Sequence, residues 1–450
     1  MSTSHTQDTL NALRAGKLAG IKRLDLSCGL TNFPEEIFEL ADSLEILNLS
    51  GNQLSSLPDE LTKLKNLKII FCSENQFTHL PEVLGEFEHL NMVGFKANQI
   101  RHCPESAISN KLRWLILTDN ALTEIPKNIG DCKSMQKLML AGNQLSAIPE
   151  SLMACQNLEL LRISANAFNA LPEWLFTLPR LAWLAYAGNP LTLGDESQTL
   201  KHSPLPNVDW STLSLGEKLG EGASGLIYQA KLTKRIHEHP TLDTVAVKVF
   251  KGAVTSDGLP ESEMAAWISA GNHPNIAPVI ANLVSHPQKM RGLVMPLIDS
   301  SFKILAGPPS LSSCTRDTYA PTQQFSLQQV LSIARGIAEA TAHLHRQGVL
   351  HGDLYAHNIL FDGVNKVLLS DFGGAARLPL DNQVLTEKLT KIETLAFAHL
   401  LEELVTRCQA SPEEQASLQA MQRLAVECQR FNLNERPNMQ EVAEILSNIA

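Results

Sequence analysis

At 450 residues the chain is longer than one ordinary hydrophobic core organises, which points to about two or three domains. Its 37 basic and 47 acidic residues give a formal charge of −10, which excludes the dominant basic surface that nucleic acid requires. No apolar run approaches the roughly 20 residues of a membrane helix, and the start from Met1 to Ala19 is polar where a secretory signal is greasy, so a cytoplasmic protein is expected.

Residues 1–17 read as an N-terminal cap or a disordered start. From 18 to 191 the chain repeats itself: cut at Leu44, Leu67, Leu90, Leu112, Met135, Leu158 and Leu181, it advances in steps of 23 residues with one step of 22. One period runs Leu44, Leu47, Leu49, Asn52, Leu54, Leu57-Pro58, Leu61 and Leu64. Leu47 and Leu49 alternate as in a strand, whereas Leu61 and Leu64 have the spacing of a short helical turn. The asparagines at 52, 75, 98, 120, 143, 166 and 189 can satisfy backbone groups in the bends where an apolar side chain would leave them unpaired. These residues resemble the leucine-rich repeat family. A first, atypical copy begins at Ile21 and carries Cys28-Gly29 in place of the asparagine. Such coils cannot bury their leucines singly and must stack into a solenoid.

Five of the eight cysteines, Cys28, Cys72, Cys103, Cys132 and Cys155, fall at or near inward positions, as small buried thiols of a reducing compartment would. On the strand positions pointing away from the core, Ile69, Phe71, Met92, Trp114, Ile116, Met139 and Trp183 form an apolar stripe. An exposed stripe on this concave face implies a protein partner or substrate. Packing against the chain's own second domain, or a facing assignment displaced by one residue, are the alternatives.

Residues 192–210, polar with Pro204 and Pro206, read as a linker. From 211 to 450 short β-branched runs give way to helical segments, a hairpin and a helical tail. Within them lie Leu219-Gly220-Glu221-Gly222-Ala223-Ser224-Gly225, Val245-Ala246-Val247-Lys248-Val249, Leu293-Val294-Met295-Pro296-Leu297, His351-Gly352-Asp353-Leu354-Tyr355-Ala356-His357-Asn358 and Asp371-Phe372-Gly373. This set, in this order, resembles the eukaryotic-type protein kinase fold. The whole chain is thus expected to be an α/β leucine-rich-repeat solenoid followed by an α+β bilobal protein-kinase-like domain.

The resemblance implies ATP and Mg2+ as cofactors. Asp353 is then the base that positions the acceptor hydroxyl, and Lys248 meets the α and β phosphates. Glu263, with Glu261 second, orients that lysine. Asn358 and Asp371 ligate magnesium, an oxygen-seeking cation. The nucleotide is bordered by Leu219, Gly220, Gly222, Gly225, Ile227, Ala246, Lys248, Met295 and Leu297. Because Pro296 has no N–H, a donor to the base must come from Leu297 or beyond. His351 braces the loop, and 307–324, rich in Pro and Ser, reads as an exposed insertion.

The pattern also departs from the family. Gly352 stands where many protein kinases carry an arginine that grips a loop phosphate, and Tyr355 where serine/threonine kinases carry a lysine. Glu393 replaces the usual aspartate of the central helix. No Ala-Pro-Glu lies between Asp371 and Glu393, although Arg436 matches the arginine that would pair with its glutamate. The resemblance implies ATP-dependent phosphorylation of Ser or Thr hydroxyls on a protein recruited by the repeats. A small-molecule kinase, which His-Gly-Asp with a short following segment also resembles, and an ATP-binding scaffold with little catalysis are the alternatives.

Overall fold

The computed structural model describes residues 3–222, 224–251, 254–255 and 257–449. Two compact units divide the chain, Met1–Leu178 and Pro179–Ala450.

The first unit opens with helix α1 (Thr3–Arg14), whose Leu10 and Leu13 are buried. Short strands follow once per repeat: β1 (Arg23–Asp25), β2 (Ile46–Asn48), β3 (Ile69–Phe71), β4 (Met92–Gly94), β5 (Trp114–Ile116), β6 (Lys137–Met139) and β7 (Leu160–Arg162). Each pairs in parallel with the next, Leu47 opposite Ile70 and Leu115 opposite Leu138. Parallel neighbours need a crossover, and the rest of each coil supplies it. That return path is a 3-10 turn entered from an extended proline, as at Pro58 before Asp59–Lys63, and Leu61 and Leu64 turn inward there as expected. The middle residue of every strand, from Leu24 to Leu161, is at most 2% exposed, so one stack of aliphatic side chains forms the core.

The asparagines hold the bends. Asn120 donates from Nδ2 to the carbonyls of Leu117 (3.1 Å) and Phe95 (2.9 Å), and its Oδ1 receives the Ile100 N–H at 2.9 Å. One amide therefore ties a coil to its predecessor. The residue just before the asparagine is left-handed in successive coils: a glycine at 51 and 142, but Glu74, Ala97, Asp119 and Ala165 elsewhere. Cys72, Cys103, Cys132 and Cys155 are buried as thiols, and burial pushes Cys103 and Cys132 up to about 12 and Cys155 to about 11.

The second unit begins inside the repeat pattern, with strand β8 (Trp183–Ala185). The polar stretch that follows is largely helical: α2 (Pro190–Lys201) starts on a proline, whose fixed φ suits a first turn. Strand β9 (Asn207–Asp209) comes next, then β10 (Leu213–Glu221), β11 (Gly225–Leu232), β12 (Thr244–Phe250), helix α3 (Pro260–Ala270), β13 (Ala281–Val284) and β14 (Gly292–Pro296). The strands form one sheet in the order β10-β11-β12-β14-β13-β9, with β9 parallel to β13 at the edge.

Strands β15 (Lys303–Ile304) and β16 (Phe325–Ser326) lead to a helical lobe. It contains α4 (Leu327–Arg346), started by a Ser326/Gln329 capping box, then β17 (Val349–Leu350), β18 (Ile359–Phe361), β19 (Val367–Leu369) and β20 (Ala376–Arg377). It closes with α5 (Gln383–Thr406), α6 (Gln415–Cys428) and α7 (Met439–Ser447). Helix α5 is buried from Leu389 through Ala398 and is the axis of this lobe. A repeat solenoid followed by a mixed bilobal unit is the expected fold class. No helix among the described residues is long and apolar enough to cross a membrane.

Candidate active site

Strand β12 alternates. Val245, Val247 and Val249 enter the sheet's core, so Ala246 and Lys248 fall on the other face. There Lys248 Nζ pairs with the Glu263 carboxylate of α3; the two residues are 6% and 2% exposed. Glu261 lies outside this pair, 3.5 Å from Arg291. Burial lowers the pKa of Lys248, but Glu263 and Asp371 outweigh it and leave the ammonium raised above its ordinary value. Across the ladder Ile227 stands opposite Lys248 and Met295 opposite Ala246. Leu219 and Leu297 are exposed.

Between β17 and β18 runs the Asp353 loop. Asn358 Nδ2 donates to Asp353 Oδ2 (2.8 Å) and to its carbonyl (2.9 Å), which leaves Oδ1 as the atom able to ligate a cation. From α5, Glu393 receives the backbone N–H of Gly352 at 2.6 Å and of His351 at 3.3 Å, and meets His345 Nε2 at 2.8 Å. Burial pushes this carboxyl up, yet the bond from His345 and the neighbouring charges hold it below its ordinary value. His351 is fully buried, with Nε2 3.1 Å from the Ser370 carbonyl oxygen.

Asp371 is held at φ +55°, a conformation that costs a non-glycine residue about 1–2 kcal/mol and is commonly retained at functional sites. Phe372 beside it is buried, its ring 5.0 Å from Trp267 of α3. At Gly220 and Gly222 a β-carbon would meet nothing within 4 Å, so the hairpin leaves open space for a close anionic ligand. Open space at the glycines, an inward ammonium, and the oxygen donors of Asp371 and Asn358 together fit a magnesium-bound nucleotide.

Three parts of the surroundings differ from what the sequence suggested. The 307–324 insertion is not simply exposed: Cys314, Thr315 and Asp317 are buried. Asp317 accepts from His357 N (3.1 Å) and faces His357 Nδ1 at 2.7 Å, so the insertion braces the Asp353 loop. Burial pulls the imidazole pKa down, but Asp317, with Asp353 and Asp371, carries it above its ordinary value. His357, directly before Asn358, was the overlooked sign of this contact.

Trp183 is likewise not on an open face. It is 1% exposed, stacks on Tyr355 with centroids 4.2 Å apart and planes within 7°, and donates Nε1–H to the Leu354 carbonyl at 3.0 Å. Of the other stripe residues, Ile69 and Met92 are buried, whereas Phe71, Trp114, Ile116 and Met139 are half-buried, with Lys137 Nζ 4.4 Å from the Trp114 ring centre.

The third departure is Arg436. Its guanidinium donates to the carbonyls of Arg430 (2.8 Å), Lys391 (3.2 Å) and Pro179 (2.8 Å), and burial lowers its pKa to about 10.

A buried lysine–glutamate pair beneath a mixed sheet, with an Asp-Asn loop and a left-handed aspartate before Phe-Gly, defines a protein-kinase-like domain, and here it follows an N-terminal leucine-rich-repeat region. Comparison with known proteins agrees. Residues 213–398 match the protein tyrosine and serine/threonine kinase family, and 42–82 and 110–168 match leucine-rich repeat families. Fibroblast growth factor receptor 1 of Xenopus laevis is 28% identical over 200 residues, covering 42% of this chain and 24% of that protein. Its counterpart from Pleurodeles waltl is 25% identical over the same shares. The chain thus spans about a quarter of the length of these relatives.

Proposed function

We propose that the second unit transfers the γ-phosphoryl group of Mg-ATP to a Ser or Thr hydroxyl of a protein. The convergence of Lys248, Glu263 and Asp371 beside an Asp353 fixed by Asn358 carries this reading. Asp353 positions the acceptor hydroxyl and accepts its proton. Lys248, oriented by Glu263, holds the α and β phosphates, and Gly220 and Gly222 let the hairpin close over them, whereas a β-carbon at Gly225 would lie 2.6 Å from the Val249 oxygen, so that glycine serves the close pairing of β11 with β12. Leu219, Ile227, Ala246, Met295 and Leu297 border the base. Asn358 and Asp371 hold magnesium, which neutralises phosphate charge when bound. On the repeats, the half-buried Phe71, Trp114, Ile116 and Met139 recruit the protein acceptor.

Incubating wild type and Asp353→Asn with labelled ATP and a lysate, followed by phosphosite mapping, tests this. Label on Ser and Thr that disappears in the variant is expected. Label on Tyr alone overturns the acceptor class. Label only in small molecules supports the second reading, favoured by the short path from Asp371 to the start of α5 at Gln383. No label in either refutes transfer. Trp114→Ala with Met139→Ala lowers protein labelling while leaving stabilisation by Mg-ATP intact; unchanged labelling removes the repeats from acceptor recruitment.

A further inference from the structure

We propose that the terminal leucine-rich coil and helix α2 form a built-in clamp for the phosphotransfer machinery, with Trp183 and Glu196 as positioning residues. The inference rests on the phosphotransfer reading above for its kinetic consequence, but its geometry stands within the second unit alone.

One arm of the clamp holds the Asp353 loop. The indole of Trp183 covers Tyr355 and bonds to Leu354, the residue next to Asp353. Arg316 and His399 lie 5.2 and 5.4 Å from the indole ring. Three separate segments of chain, the Asp353 loop, the 307–324 insertion and helix α5, therefore meet on one side chain. Three residues on, Tyr186 is buried and its hydroxyl donates to the Arg377 carbonyl at 3.0 Å, tying β20, the strand after Asp-Phe-Gly, to the same coil.

The other arm holds α3. Glu196 of α2 is 3% exposed; its carboxylate receives the Gly188 N–H at 3.0 Å and the Ser262 hydroxyl at 2.6 Å. Ser262 directly precedes Glu263, the partner of Lys248. A continuous path thus runs from the coil through Glu196 to the buried ion pair.

The clamp accounts for three of the four departures from the kinase pattern, all but Glu393. Gly352 has φ +68°, and a β-carbon there would lie 2.3 Å from the Gly374 oxygen and 2.8 Å from that of Leu184 in the coil. An arginine gripping a loop phosphate has no room. Tyr355 serves as the platform for Trp183. Arg436 gives a bond to Pro179, at the start of the coil, rather than spending itself on a glutamate of the absent Ala-Pro-Glu. The last repeat does by covalent attachment what a long, modifiable segment would otherwise do.

The test uses the full chain and two readouts. Amide hydrogen exchange is followed without nucleotide across residues 350–358 and 260–268 in wild type, Trp183→Phe, Trp183→Ala and Glu196→Gln. Trp183→Phe keeps a stacked ring but loses the indole donor, and loop exchange is expected to speed by roughly tenfold. Trp183→Ala should exceed this. Glu196→Gln should raise exchange mainly in α3. In phosphotransfer assays kcat falls in the same order, by about tenfold or more, while KM for ATP stays within about threefold. Trp183→Phe and Glu196→Gln keep the proposal testable even where Trp183→Ala does not fold. Unchanged exchange at 350–358 in folded Trp183→Phe and Trp183→Ala overturns the clamp. A wild type lacking phosphotransfer overturns the function instead, while the exchange result still decides the clamp.

Discussion

Replacing Glu263 with glutamine removes the carboxylate facing an ammonium that is only 6% exposed. Deleting one member of a buried pair costs about 3–5 kcal/mol, whereas replacing both by apolar side chains of similar volume is often neutral. Asp371 supplies Lys248 with a second negative charge, and the Phe250 and Trp267 rings lie 5.3 Å from its nitrogen. These place the expected loss at the low end, about 3 kcal/mol. At about 2–4 °C per kcal/mol for a large domain, the transition of the second unit falls by roughly 6–12 °C. Differential scanning calorimetry of the full chain resolves this, the relevant transition being the one that Mg-ATP raises. Lys248→Met should lose a similar amount, and Lys248→Met/Glu263→Leu should recover most of it, still without phosphotransfer. Single losses under about 1 kcal/mol that simply add in the double variant refute the argument from buried charge.

Mg-ATP at 100 times its dissociation constant should stabilise the second unit by about 2.7 kcal/mol, and Asp371→Asn should remove the magnesium dependence of that shift, read by thermal unfolding with and without metal. Gly352→Ala meets both a left-handed backbone and the Gly374 and Leu184 oxygens, so a loss above about 2 kcal/mol is expected in the same assay; a neutral outcome contradicts the close approach. Burial and the charge of Asp317 raise Glu403 from 4.5 to about 7, with the Tyr319 hydroxyl partly opposing them. Folding favours its protonated form, so this contribution is full below about pH 4.5 and is lost as pH rises through 7; on the order of 3 kcal/mol is involved. Glu403→Gln should flatten stability between pH 5 and 8, and an unaltered profile excludes this group as its source. Ala97→Gly, at φ +53°, should stabilise the first unit by up to about 1 kcal/mol in chemical unfolding, against a loss if the left-handed bend carries no strain.

The repeats were legible because each coil spells the same contacts within one 23-residue period: aliphatics inward, an asparagine at the bend, a proline before the turn. The placing of Lys248, Asp353, Asn358 and Asp371 was legible for a related reason, since each stands in a short motif whose neighbours announce its element; Glu263 stands in none, and only its buried pairing with Lys248 separates it from Glu261. What escaped was long-range. Trp183 occupies a strand position equivalent to Trp114, and nothing local separates an indole on a repeat face from one stacked 172 positions away on Tyr355. Asp317 sits among serines and prolines that look like a surface loop, and its pairing with His357, which no local pattern announces, holds it inside. Helix α2 has a weakly amphipathic sequence, so composition suggested a linker; its burial comes through Glu196, a polar contact that periodicity does not register.

The thiols of the solenoid have a practical consequence. Cys72, Cys103, Cys132 and Cys155 sit at most 6% exposed in different coils along the stack. Each is shut to reagents until its own coil opens, and a thiolate forms only once burial is relieved. Mass-resolved alkylation of the native chain therefore reads the stack as a row of clocks without any introduced label. Equal rates mark the solenoid as opening all at once, and graded rates record the order in which its coils peel apart.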